Sequence, residues 1–181
     1  MVLVFLADGF EESEAILPID ILRRAGLDVV TVSIGDDRNV TGSHGILLRA
    51  DVTANTLPDC VPEMIVLPGG MPGTKNLDAS AAVREYMEKV YLEGGYLAAI
   101  CAAPMVLGRQ GLLQGKKATC YPGFEQYLTG AEVGGDVVVD GRLVTARGMG
   151  VATPFALRLV ELLCGSDRAD AIARAICFTP Q

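Results

Sequence analysis

Histidine is almost absent from this chain: His44 is the only one in 181 residues. Its rarity argues against the usual imidazole-built metal sites and constrains any mechanism that needs a base near neutral pH. Cysteine is present without a pairing pattern. Cys60, Cys101, Cys120, Cys164 and Cys177 are odd in number, widely scattered and never at C-x-x-C spacing, which fits neither a disulfide framework nor a zinc ribbon. No metal or cofactor is therefore expected. Positive charge is also scarce. The chain has 15 basic and 22 acidic residues, a net charge of −7, and no Lys/Arg-rich block, so nucleic acid and anionic membranes are poor partners. The opening Met1–Asp8 has no basic leader and meets acidic residues within about one strand length. It reads as neither signal peptide nor membrane span, and a cytoplasmic protein is expected.

What is there is apolar. Half of the residues are hydrophobic, enough to bury a full core as a single domain over residues 1–181. Val2–Ala7, Leu27–Ile34, Met64–Leu67 and Tyr96–Ile100 read as buried strands, while Glu14–Ala25, stopped by Gly26, and Ala79–Glu93 read as helices. Thr41–Asp51 has the residues of a short hairpin. Beyond Cys101, Ala102–Gly108 suggests a short helix, Lys117–Cys120 a strand, and Val137–Thr145 a hairpin turning on Asp140 and Gly141. Thr153–Leu163 and Asp167–Ile176 are the last expected helices. Strands of this apolar continuity, separated by helices, predict an α/β fold whose mostly parallel sheet is covered by helices on both faces.

In such open sheets the ligand crevice lies beyond the carboxyl ends of the strands. Three segments should meet there: Asp8 to Glu14, Pro68-Gly69-Gly70, and Cys101. Cys101 ends a buried run and precedes Pro104, a residue suited to the first turn of a helix. The helix is therefore expected to begin at or just after Cys101, with its free N–H groups facing the sulfur. A helix terminus would favour thiolate and draw the pKa from about 8.5 into a range of roughly 3.5 to 7.5. The same junction also suits a small buried cysteine packing like alanine. Gly69 and Gly70 cannot shield their N–H groups, so with the N–H of Ala102 they form either an oxyanion hole or simply a strand-ending turn. Glu11 and Glu12 suit the start of a helix, where carboxylates answer the macrodipole. Glu14, one turn on, can face inward, where burial and a thiolate would raise its pKa and leave it a proton donor to sulfur.

The stretches Ala7-Asp8-Gly9-Phe10-Glu11-Glu12-Ser13-Glu14, Val66-Leu67-Pro68-Gly69-Gly70, Ala98-Ala99-Ile100-Cys101-Ala102-Ala103-Pro104 and Thr145-Ala146-Arg147-Gly148 span nearly the whole chain. In order and spacing they closely resemble the DJ-1/ThiJ/PfpI superfamily, in the branch of the Parkinson-disease protein and its bacterial relatives. The resemblance implies a flavodoxin-like α/β sandwich, a homodimer, no cofactor, and an oxidation-sensitive cysteine, Cys101, hydrogen-bonded to a protonated glutamate, Glu14. It places the N–H groups of Gly70 and Ala102 against the sulfur and Arg147 in the family's Arg-Gly pair. It further implies protection against oxidative stress, glutathione-independent glyoxalase activity on small 2-oxoaldehydes, a deglycase activity and chaperone-like behaviour.

The departures from the family pattern matter as much. Ala102 follows Cys101 where family proteases carry histidine, which argues against a cysteine protease. Cys120-Tyr121-Pro122 replaces a Thr-His-Pro stretch, so a base used by some glyoxalase members is missing. Tyr121 can donate a hydrogen bond there, but a phenol with an ordinary pKa near 10 is a poor base. His44 stands where relatives often have arginine, and reads as a loop or interface residue. Arg147 reads as a substrate-side cation or a loop salt bridge. Cys120 suits a second redox thiol or a buried strand end, and Cys60, Cys164 and Cys177 read as structural or incidental. Two functions stay open: slow covalent chemistry on an aldehyde through Cys101, or a non-catalytic redox sensor or chaperone signalling by oxidation of Cys101.

Overall fold

The computed structural model describes residues 1–59 and 61–179; Cys60 lies outside the described residues. Along the chain run β1 (Val2–Leu6), α1 (Glu12–Arg24), β2 (Val29–Ser33), β3 (Asn39–Thr41), β4 (Leu47–Arg49), β5 (Val52–Thr53), β6 (Met64–Leu67), α2 (Gly73–Ala79) and α3 (Ala81–Leu92). There follow β7 (Tyr96–Ile100), α4 (Pro104–Arg109), β8 (Lys117–Ala118), β9 (Glu132–Val133), β10 (Val137–Asp140), β11 (Leu143–Ala146), α5 (Ala152–Cys164) and α6 (Ser166–Ala175).

A seven-stranded sheet in the order β10-β11-β7-β6-β1-β2-β5 forms the centre. All its neighbours are parallel except the β10–β11 hairpin at one edge. Both faces are covered, as the continuous apolar runs require. Val2, Val4 and Leu6 of β1 pack with α1, α5 and α6, while Leu3 and Phe5, pointing the other way, pack with Leu77, Met87 and Val106 from α2, α3 and α4.

Chain order places the reactive end. From β1 the chain moves outward to β2 and β5, then returns to β6 on the other side of β1. The carboxyl ends of β1 and β6 thus form the switch point where a crevice opens. The expected 41–51 hairpin exists as β3–β4, a separate antiparallel pair. The strand expected at Lys117–Cys120 shrinks to two residues, and pairs with β9 in a small parallel sheet of its own.

Candidate active site

Cys101 follows directly on β7, but not as the first residue of a helix. Its φ is 65°, a left-handed conformation that a residue with a Cβ adopts at a cost of about 1–2 kcal/mol. The neighbouring chain enforces it: the Cys101 N–H donates to the Ala146 carbonyl at 2.8 Å, and its carbonyl accepts from the Tyr121 N–H at 2.8 Å. Helix α4 begins at Pro104 and runs only to Arg109. The helix terminus expected at the sulfur is therefore displaced by a turn through Ala102 and Ala103.

Glu14 arrives from the first turn of α1. Glu11 caps that helix, its carboxylate accepting the Glu14 N–H at 2.7 Å, and the fold then buries the Glu14 side chain to 1% exposure. Its carboxyl accepts the Gly69 N–H at 3.0 Å, is hydrogen-bonded by the Met149 N–H, and meets the Cys101 side chain. The N–H groups of Ala102 and Gly70 act on the sulfur in the sense that favours its anion. The three segments expected at the crevice do converge.

Close packing at Gly69 shows why this position carries no side chain. A Cβ there would lie 2.5 Å from Glu14 Oε2 and 2.6 Å from Cys101 Cβ. Gly70 has φ +90°, and a Cβ on it would run into the Glu11 backbone nitrogen. The two glycines divide the work. Gly69 spends its N–H on the carboxyl and so is not the oxyanion donor expected of it, whereas Gly70 and Ala102 aim theirs at sulfur.

The electrostatics correct one expectation outright. Burial, then the charge and hydrogen bond of Glu14, push the Cys101 thiol up to about 12, and the donors on Gly70 and Ala102 oppose this without prevailing. Burial also pushes the Glu14 carboxyl up to about 7, helped by the charge on Glu11 and opposed by the hydrogen bonds from Cys101, Gly69 and Met149. The two groups titrate as a pair. The carboxyl gives up its proton first, near 7, and its charge then helps to hold the remaining proton on sulfur.

The remaining expected residues are placed less centrally. Tyr121 is half-exposed, with its ring against Gly148: a Cβ on Gly148 would lie 3.4 Å from Tyr121 Cδ2 and 4.0 Å from Glu14 Oε1. Arg147 forms the loop salt bridge, pairing with Asp136 at 3.0 Å. Cys120 is a buried thiol just beyond β8, pushed up to about 11 by burial and the charge of Glu125; Cys164 and Cys177 are exposed. A surface cavity of about 540 Å³ opens at the ends of β1 and β2, lined by Asp8, Ser33, Asp36 and Asn76 among others, but its lining includes neither Cys101 nor Glu14.

Sequence reasoning missed two contributors. Met149, a main-chain donor to Glu14, left no side-chain signal. Glu12, read as a helix-start carboxylate like Glu11, is buried, accepts the His44 N–H at 2.7 Å, and pairs with His44 Nδ1 at 2.9 Å. Glu11, Glu12 and His44 form the cluster with metal-ligand chemistry among the described residues, their ligand atoms within 4.8 Å of one another. Glu12 already accepts main-chain N–H groups from His44 and Ile46, the arrangement of a clamp on a turn.

A model of the DJ-1/PfpI family matches residues 1–162. The chain belongs to the DJ-1/PfpI family. It is 39% identical, over 99% of its length, to protein DJ-1 homolog B of Arabidopsis thaliana, and spans 42% of that protein. A second Arabidopsis relative, DJ-1 homolog A, is matched over 47% of its length, so the chain spans about half the length of these curated relatives. The solved structure of oxidized Toxoplasma gondii DJ-1 superposes with a TM-score of 0.94 at 38% identity, covering 99% of this chain and 98% of that one. The glutathione-independent glyoxalase DJR-1.2 of Caenorhabditis elegans is 29% identical over 93% of this chain and 90% of its own. The DJ-1 fold and the DJ-1-like branch are thus both in place.

Proposed function

We infer that this chain is a DJ-1-like protein of carbonyl and oxidative stress that converts small 2-oxoaldehydes to 2-hydroxy acids through Cys101. The observation that carries the reading is a buried Glu14 carboxyl that accepts the Gly69 N–H at 3.0 Å and packs with Cys101 around the same glycine. The glyoxalase name borne by the Caenorhabditis relative supports it.

The Cys101 sulfur, having passed its proton to Glu14, adds to the aldehyde carbon, and the carbonyl oxygen becomes an alkoxide held by the N–H groups of Gly70 and Ala102. Glu14 returns its proton to that oxygen, giving a hemithioacetal. The carboxylate then takes the hydrogen from the former aldehyde carbon as a proton and delivers it to the neighbouring carbon through an enediol. The hemithioacetal becomes its isomer, a 2-hydroxy thioester. Water cleaves the C–S bond, releasing the hydroxy acid and restoring the thiol. No external oxidant or reductant enters. Turnover is slow, since no imidazole activates that water.

Release of lactate from methylglyoxal by the purified protein, beside Cys101→Ala and Glu14→Gln, tests this. The wild type alone should turn over appreciably, and equal rates in all three would remove the reading. The redox-sensor reading keeps one specific support, the oxidized state of the Toxoplasma relative. Two molecules of peroxide would take the Cys101 thiolate to the sulfinate, releasing two of water, with the Glu14 proton hydrogen-bonded to the new oxygen. Gain of two oxygens on Cys101 alone, with no lactate formed, selects this alternative. A homodimer is the proposed assembly, supported by Ile16 on α1 and by Ile46 and Leu47 on the hairpin, all exposed; light scattering giving a monomer mass would reject it.

A further inference from the structure

The surroundings of Cys101 and Glu14 are uneven. On the Gly69 side they are sealed, since an added Cβ would lie 2.5 Å from Glu14 Oε2 and 2.6 Å from Cys101 Cβ. On the Gly148 side there is room for a carbon atom: a Cβ there would sit 3.4 Å from Tyr121 Cδ2, 3.9 Å from Tyr121 Cε2 and 4.0 Å from Glu14 Oε1, all ordinary contacts. An atom in that space meets an aromatic ring and the carboxyl at once.

Tyr121 is built into its place. Its N–H donates to the Cys101 carbonyl at 2.8 Å, its carbonyl accepts the Phe124 N–H at 3.0 Å, and its ring stands edge-on to Phe124 with centroids 6.5 Å apart. Phe124 packs in turn on Tyr127 at 5.8 Å, and the Arg109 guanidinium lies 5.0 Å over the Tyr127 ring. The Tyr121 side chain is nevertheless half-exposed. A ring held on one side and open on the other, beside a carboxyl, is a surface for a flat apolar group. Met149, whose N–H bonds Glu14, and Met71, which follows Gly70, are also exposed. Charge points the same way. Arg147, the cation next to Gly148 in the chain, is paired with Asp136 at 3.0 Å, and the Glu11 carboxylate accepts the Glu14 N–H at 2.7 Å. An anionic substituent would meet two carboxylates there, with the neighbouring guanidinium already engaged.

We propose that Tyr121 is a specificity-determining residue whose open ring takes the substituent of the substrate, so that the site prefers 2-oxoaldehydes bearing a flat, uncharged apolar group over the methyl compound. The proposal rests on the reading of Cys101 and Glu14 as the reactive pair and deepens it. The chemistry is that of the smaller aldehyde: sulfur adds to the aldehyde carbon, the hydrogen on that carbon moves as a proton to the ketone carbon, and water cleaves the C–S bond and restores the thiol. Phenylglyoxal and one water thereby give mandelate, with no oxidant or reductant consumed.

The test is the initial rate of lactate formation from methylglyoxal and of mandelate formation from phenylglyoxal, for wild type, Tyr121→Phe, Tyr121→Ala and Cys101→Ala. Wild type should show the lower KM for phenylglyoxal, KM following binding because turnover is slow. Tyr121→Ala should lower the phenylglyoxal-to-methylglyoxal ratio of kcat/KM by roughly 2- to 10-fold, mainly through KM, the loss expected for one aromatic pair. Tyr121→Phe keeps the ring and should hold the wild-type ratio. 4-Carboxyphenylglyoxal, which adds an anion to the same ring, should have a higher KM than phenylglyoxal. The same ratio in wild type and Tyr121→Ala overturns the proposal, and so does a Tyr121→Phe protein that behaves like Tyr121→Ala or a lower KM for the carboxylated compound. Failure of the underlying reading looks different: the wild type would then form neither acid faster than Cys101→Ala.

Discussion

Glu14→Gln should make the protein more stable at alkaline pH while disabling its chemistry. The wild-type carboxyl titrates at about 7 in the folded chain against an ordinary 4.5. Folding therefore favours its protonated form, and the associated stability is whole below pH 4.5 and lost as pH rises through 7. At about 1.4 kcal/mol for each pH unit separating the two midpoints, the loss above pH 7 is about 3 kcal/mol. For a chain of this size that corresponds to roughly 6–12 °C in Tm. Glutamine keeps the shape, can accept the Gly69 N–H and donate to sulfur, and carries no charge to desolvate. The assay is urea unfolding of both proteins, with thiols reduced, from pH 5 to pH 8. His44 titrates in both chains and largely cancels in the difference, while Glu12, drawn down to about 2, and Cys101, pushed up to about 12, titrate outside the window. The gap in favour of the variant should open by about 2–3 kcal/mol across that window. Parallel curves, or a variant less stable than wild type at pH 8, would refute the burial argument. A stability cost borne at a functional group is the usual trade between folding and activity.

Other substitutions probe separate parts of the account. Gly69→Ala drives a Cβ into Glu14 Oε2 and Cys101 Cβ, so it should cost about 1–3 kcal/mol in urea unfolding and slow alkylation of Cys101 together. Glu12→Ala removes the clamp on the 42–46 turn; hydrogen exchange should accelerate at the amides of His44 and Ile46 and stay unchanged in β6. Because its pKa is lowered, the Glu12 contribution is present above pH 4.5 and lost as pH falls through 2, so wild type and Glu12→Gln should converge in stability in acid. Thr74→Val removes a buried hydroxyl that has no hydrogen-bond partner among the described residues and should leave thermal unfolding unchanged or raise stability by about 1 kcal/mol.

The architecture was legible because its strands are short apolar runs between glycines and amphipathic helices: β6 at Met64–Leu67 and β7 at Tyr96–Ile100 fall where the sequence pattern places them. Elements without such a pattern were not. β5 and β9 have two residues each, and α2 starts at Gly73 with few apolar positions to mark a face. Sequence pattern and family resemblance together pointed to Cys101, Glu14, Gly70 and Ala102, which the fold brings together. The state of the sulfur was beyond reach, because it depends on how deeply the fold buries the pair and on where α4 begins. Pro104 marked a helix start correctly, but the left-handed turn at Cys101 separates that start from the sulfur. The burial of Glu12 was equally hidden, since its partner His44 is 32 residues away in sequence.

The coupling of the Cys101 thiol to the Glu14 carboxyl is tested most directly by titrating thiolate absorbance near 240 nm, taken as the difference between wild type and Cys101→Ala and repeated in a Glu14→Gln background. The account predicts no thiolate signal through the Glu14 step near pH 7, a rise only toward pH 12, and a lower midpoint in the Glu14→Gln protein, whose side chain brings no charge to oppose the thiolate. A single midpoint between pH 8 and 9 that is the same in both backgrounds would contradict it.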